Sequence, residues 1–358
     1  MATSATIVGG NSVDTSSLSA TSAQNVANAL ATLSTAPGVT GSTILTSFSV
    51  APSASASTDT VYQLAPTVAG GFVGALPTGA TAVVLTGTTS AALIGSATAT
   101  TELIVGNAGN DTINAGGGSG TVIAGGGNNL IGTTATGSGN VAIMTGNGNN
   151  TIVAASGNDT VTAGTGNNTI FGGSGNSLVY SSGNDTLVGG AGNSTIGAGG
   201  GTVNMFGGAG NATLIGGAGN DNIFNLGSAD DLLVGGSGNT TLVGGTGNNT
   251  FIGGAGNTTV FGGSGNDTIF GGTGHDTLYG GAGTNIFAFS TVLGGGHAVI
   301  GDFSASDSLS IQGYGLTATQ VLADATVSGG STVISLGDGT KITLVGVTNL
   351  TTKQITSG

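Results

Sequence analysis

The chain contains no cysteine, no tryptophan and no arginine, and its only lysines are Lys341 and Lys353. Without cysteine there are no disulfides and no thiolate metal sites, which suits an extracellular protein made rigid by repetition or by hard cations. A nucleic acid demands a Lys/Arg patch to replace its counterions, so this chain has no means of binding one. The same scarcity disfavours an anionic membrane surface. No apolar run approaches the roughly 18 residues of a membrane span, so no membrane insertion is expected. Catalytic side chains are as scarce, with two histidines (His275 and His297) and one glutamate (Glu102). His275 stands in a turn and His297 in a glycine run, and no GGSG string completes a nucleophile elbow. The expectation is that the protein is not an enzyme.

Glycine and a regular apolar beat are what the sequence does contain. Glycine accounts for 75 of 358 residues, and 37% of the chain is hydrophobic. So much glycine without a collagen period usually means disorder, but the beat argues against it. Between 235 and 287 the chain reads GGSGNTTLV, GGTGNNTFI, GGAGNTTVF, GGSGNDTIF, GGTGHDTLY and GGAGTNIFA, six near-copies of one nonapeptide. Six residues, GGxGNx, form a tight turn and three form a short strand whose middle side chain points inward. In that register the inward row is Val161, Ile170, Val179, Leu187, Ile196, Leu214, Ile223, Leu233, Leu242, Phe251, Val260, Ile269 and Leu278. A stack of repeats buries such a row without a globular core. The expected fold is all-β, a parallel β-roll or β-solenoid in which two repeats make a turn of about 18 residues and turns stack at roughly 4.8 Å.

Three regions are expected. Residues 1–70 form an N-terminal segment, serving as cap, anchor or docking piece, with one helix between 19 and 33 (Val26, Leu30 and Leu33 on one face) and strand-like runs at 43–50 and 60–64. The solenoid occupies 71–289, with degenerate turns around 82–85, 92–94 and 103–105 before the first clear repeat, GNAGNDTIN, at 106. One extra residue, Asn225, interrupts the beat before LGSADDLLV. Residues 290–358 form a β C-terminal cap and secretion-signal region, read as hairpins with a turn at Asp338-Gly339.

The repeats resemble the RTX, or haemolysin-type calcium-binding, family over about half the chain. The run GDFSASDSLSI at 301 and the later SLGDGTKITLVGV resemble that family's usual ending. The resemblance implies type I secretion from a C-terminal signal, which agrees with a start that lacks the cationic and apolar regions of a signal peptide. It also implies that extracellular Ca2+ folds the roll, held by turn carbonyls and an aspartate at position six. Here position six is acidic at Asp111, Asp159, Asp185, Asp221, Asp231, Asp267 and Asp276, the candidate metal ligands. Elsewhere it is Asn129, Asn150, Asn168, Ser177, Ser194, Ala212, Thr240, Asn249, Thr258 or Asn285. No two of the aspartates are neighbours one turn apart, so few, weak calcium sites are expected, in the roughly 10⁻⁴–10⁻³ M range of extracellular modules.

Position five is asparagine in nearly every repeat. It reads either as an amide ladder along the stack or as a residue that tolerates a left-handed turn. Position nine should face outward, yet it carries Phe171, Phe206, Phe224, Phe261 and Tyr279 on alternate repeats. Strand preference alone accounts for part of this. A continuous outward apolar stripe also marks a contact surface, here for self-association. The leading function is a secreted structural protein of a surface layer (S-layer), fibre or biofilm matrix. The alternative is a calcium-dependent adhesin gripping a surface or a cell-surface glycan. An ice-binding solenoid is weaker still, because threonine at position three is scattered.

Overall fold

The computed structural model describes residues 4–6, 12–14, 60–64, 73–75, 80–85, 87–95, 102–133 and 139–358. The helix expected at 19–33 and the strand-like run at 43–50 lie outside the described residues; Thr60–Leu64 is a strand. The chain divides into two compact units, Met1–Leu187 and Val188–Gly358.

In the first unit two parallel ladders alternate along the chain. One carries Thr60–Leu64, Ala80–Leu85, Glu102–Val105, Gly120–Ile123, Val141–Met144, Thr160–Thr162 and Ser177–Ser181. The other carries Val73–Ala75, Ala92–Ile94, Thr112–Asn114, Leu130–Gly132, Thr151–Val153 and Thr169–Phe171. A separate antiparallel pair joins Ser4–Thr6 to Ser12–Asp14. Each strand feeds the opposite ladder through a glycine turn, so the inward aliphatic of one strand stacks on that of the next coil. Ile113, Ile131, Ile152 and Ile170 form one such column, and all are essentially inaccessible to solvent.

The second unit repeats the plan. One ladder runs Ser194–Ala198, Ala212–Ile215, Leu232–Val234, Thr250–Ile252, Thr268–Phe270, Ile286–Ser290, Ser308–Gln312 and Ile355–Ser357. The other runs Asn204–Gly208, Asp221–Phe224, Thr240–Val243, Thr258–Phe261, His275–Tyr279, His297–Ile300 and Lys341–Leu344. All thirteen residues of the predicted inward row are fully buried across the two units. Leu214 pairs with Leu233, nineteen positions on, so the extra Asn225 is absorbed in the turn between them. Turn geometry also explains the glycines, since a Cβ on Gly253 would collide with the carbonyl of Gly271 one turn on. Only a residue without a side chain lets the loops stack this closely.

Beyond 290 the structure departs from the hairpin reading. His297–Ile300 and Ser308–Gln312 are not a hairpin; each adds a further parallel strand. Only Ser331–Ser335 with Lys341–Leu344 and Thr326–Ser328 is antiparallel, and Gly339 turns it with φ +91. The one α-helix among the described residues, α1 (Ala318–Asp324), packs Val321 against this end of the core. Thr317 and Gln320 close its N-terminus as a capping box. Among the described residues no helix is long and apolar enough to cross a membrane.

Candidate functional site

The position-six side chains lie inside the solenoid wall, pointing along the stack. Asp111, Asp159, Asp185, Asp221, Asp231, Asp267 and Asp276 are each at most 5% exposed. In every one, Oδ1 accepts a backbone N–H from the preceding coil. The donors are Ala91 to Asp111 at 2.8 Å, Val141 to Asp159 at 2.7 Å, Asn168 to Asp185 at 2.7 Å and Val203 to Asp221 at 3.0 Å. Ala212 donates to Asp231 at 2.6 Å, Asn249 to Asp267 at 2.8 Å and Thr258 to Asp276 at 2.9 Å.

The asparagines at position six use Oδ1 in the same way, which makes continuous columns. In the second unit the backbone of Ala212 bonds to Asp231, Asp231 to Asn249, Asn249 to Asp267, Asp267 to Asn285 and Asn285 to Asp307. Aspartates alternate with amides, and no two of the predicted seven are axial neighbours. Among the described residues no group of three or more His, Cys, Asp or Glu converges on one point.

The atom that distinguishes Asn from Asp decides the chemistry. Asn Nδ2 turns back to its own loop: Asn129 donates to the carbonyls of Gly126 and Gly127, Asn150 to Gly148, Asn168 to Gly164 and Asn249 to Gly247. An aspartate in that place presents Oδ2, an acceptor, to a loop of acceptors. Three of the seven find another donor, from Asn107 N–H to Asp111, Gly217 N–H to Asp221 and the Ser181 hydroxyl to Asp185. The Oδ2 atoms of Asp159, Asp231, Asp267 and Asp276 are buried with no partner. Burial raises the pKa of Asp159, Asp231 and Asp267, and pushes that of Asp276 up to about 6, against the lowering effect of the backbone N–H that each accepts. Oxygen-only surroundings with an uncompensated carboxylate fit a hard divalent cation.

Position five forms a second ladder, in the opposite sense. Asn128, Asn149 and Asn167 each donate a backbone N–H to the Oδ1 one coil earlier, from Asn110, Asn128 and Asn149. Asn239, Asn257 and His275 do the same with Asn220, Asn239 and Asn257. No described residue other than glycine has a positive φ, so the ladder, and not a left-handed turn, accounts for these asparagines. Two further aspartates, Asp302 and Asp307, lie outside the nonapeptide register and join the stack from beyond it. Asp302 clamps the N–H groups of Gly280 and Gly281, and Asp307 ends the position-six column. The D-S-L string at 307–309 echoes D-T-I and was the available signal, but it falls 22 residues after Asn285 instead of 18.

On the outer face of the second unit, Phe206 stacks on Phe224 with centroids 5.5 Å apart, and Phe261 on Tyr279 at 5.2 Å. Val243 joins the two pairs in register. Phe171 stands at the same repeat position in the first unit and is likewise exposed.

A family model described as the RTX calcium-binding nonapeptide repeat (4 copies) matches residues 96–131, 144–179, 180–202, 206–242, 225–260, 234–269 and 253–287. No curated protein matches the chain. Among solved structures, the extracellular lipase LipA from Serratia marcescens aligns with 22% identity and a TM-score of 0.30, over 53% of this chain and 40% of that one. This chain thus spans less than half the length of that lipase. RTX repeats are a calcium-binding motif of proteins that are typically extracellular. Most of the glycine turns and buried columns described above fall within the matched stretches, and the chain belongs to the RTX nonapeptide-repeat family.

Proposed function

We propose that this protein is a secreted, non-catalytic building block that associates laterally with copies of itself into a surface layer, fibre or biofilm matrix. The observation that carries the reading is the outward ring row: Phe206 and Phe261 are 39% and 43% exposed, yet each is already stacked on its neighbour. Rings ordered before contact lose little entropy on association. Their spacing is that of the coils, so a second copy of the chain meets the row in register. Net charge is −13, and calcium held at the uncompensated position-six aspartates lowers the repulsion between copies.

Calcium has a supporting place in this reading. Asp159, Asp231, Asp267 and Asp276 are the residues that hold ions, together with turn carbonyls, whereas Asp111, Asp185 and Asp221 are satisfied by the chain itself. The sites are few and of low charge, with affinities of roughly 10⁻⁴–10⁻³ M. Calorimetry that finds many tight sites overturns this assignment.

The test of assembly is electron microscopy and sedimentation of the untagged protein with and without calcium. Ordered fibres or sheets from the parent, and a folded monomer when Phe224→Ser is combined with Phe261→Ser, are expected. Unchanged assembly of the double variant excludes this face. A dispersed parent monomer that binds cells points to an adhesin instead.

A further inference from the structure

One column of the position-five ladder ends at His275, whose partner on the next parallel strand is His297, with its own N–H donated to the Gly274 carbonyl. These are the only two histidines of the chain. Their backbones are paired in adjacent parallel strands, both side chains are exposed, and their rings meet edge to face with centroids 4.7 Å apart and planes at 74°. The geometry points to a two-histidine site for a borderline divalent transition metal, Cu(II) most tightly, on the exposed side of the turn whose buried side carries Asp276.

An imidazole nitrogen binds such an ion at about 2.0–2.1 Å, which places the ring centroid roughly 3.2 Å from the metal. Two imidazoles at square-planar to tetrahedral angles then have centroids roughly 4.5 to 5.2 Å apart. The observed separation lies inside that range before any side chain moves. Strand pairing fixes both backbones, so little ordering remains for the ion to impose. Calcium prefers oxygen, whereas imidazole suits copper, nickel and zinc, so the two kinds of site do not compete. Among the described residues no third His, Cys, Asp or Glu joins the pair. Water fills the remaining positions. Lys341, on the next strand in line with His297, is the charged neighbour and limits affinity.

The test uses the full chain, free of any histidine tag, in calcium-containing buffer, titrated with copper(II) sulfate by calorimetry and by electron paramagnetic resonance. His275→Asn restores the residue that other repeats carry at this rung, so the variant keeps the fold; His297→Gln is its counterpart. One tight copper per chain with coupling to two imidazole nitrogens is expected. Each variant should lose at least about tenfold in affinity, since even the outer partners of metal ligands are worth ten- to a hundredfold. The proposal is overturned if His275→Asn binds copper as tightly as the parent, or if the parent shows coupling to one imidazole or none. In that case the histidines are a packing contact only.

Discussion

Replacing Asp276 with asparagine should stabilise the calcium-free protein. Oδ1 of Asp276 accepts the Thr258 N–H, a role an amide oxygen fills equally well. Oδ2 is buried without a partner, and burial raises the carboxyl from 3.8 to about 6. The folded state thus holds this proton more tightly than the unfolded chain. Stability is fully present below the unfolded value of 3.8, declines as pH rises from there to about 6, and stays reduced above it. Such a displacement corresponds to roughly 3 kcal/mol at most, and solvent screening at the loop rim reduces it to about 1–2 kcal/mol. A new amide N–H aimed at a loop carbonyl, as at Asn249 and Asn168, adds ~1 kcal/mol. The sum of about 2–3 kcal/mol is roughly 5–10 °C in Tm for a unit of this size.

The assay is thermal melting of parent and Asp276→Asn in chelator, at about pH 7.5 and about pH 4, and again in about 10 mM calcium. The gain should be full at the higher pH and small at the lower, where the parent carboxyl is protonated and can itself donate to the loop. In calcium it should shrink or reverse, because an ion held at about 1 mM stabilises the parent by ~1.4 kcal/mol per site. A variant less stable than the parent in chelator at about pH 7.5, or an equal gain at both pH values, refutes the reasoning.

Two further outcomes follow from the same geometry. In chelator the parent itself should become more stable as pH falls from about 7 towards 5, because burial raises the pKa of Asp111 and Asp276 to about 6 and displaces Asp159, Asp221, Asp231 and Asp267 in the same direction; a melting temperature that drops steadily over that interval contradicts it. Gly253→Ala drives a methyl into the Gly271 carbonyl and should cost about 2 kcal/mol or more, whereas Gly337→Ala meets nothing within 4 Å and should melt close to the parent.

The solenoid was legible because its two determinants are local and periodic. Glycine spacing sets the turn, and the residue two after position six sets the core, from Val161 to Leu278. The separation of the aspartates was legible too, since it needs only the 18-residue count. The direction of their side chains was not. Position six lies at the turn–strand junction, and nothing in a string says that Oδ1 reaches back to the preceding coil. The segment after 290 was misread because a parallel coil and an antiparallel hairpin share the alternation of period two, as in HAVI and SLSI. Only the 22-residue spacings, from Leu278 to Ile300 and from Phe287 to Leu309, separate them. Helix α1 is too short to show a helical period, and its readable mark was the Thr317–Gln320 capping box.

One atom connects the columns to calcium. Asparagine and aspartate have the same shape, and at position six both give Oδ1 to the backbone of the coil before. They differ only where Asn249 donates to Gly247 and Asp267 leaves Oδ2 bare, 18 residues further along the same column. Exchanging one for the other leaves the turn, the strand register and the inward core untouched, and changes only whether that coil is complete alone or requires a proton or a cation. On the proposed reading, calcium dependence is then a graded property set coil by coil. On that reading the long amide runs, such as Asn129, Asn150 and Asn168, are coils that stay folded without the ion. On the same reading Asp231 and Asp267, with Asn249 between them, make a segment that tightens when calcium arrives; they lead into the ladder opposite the one that carries Phe224 and Phe261, the row proposed for assembly.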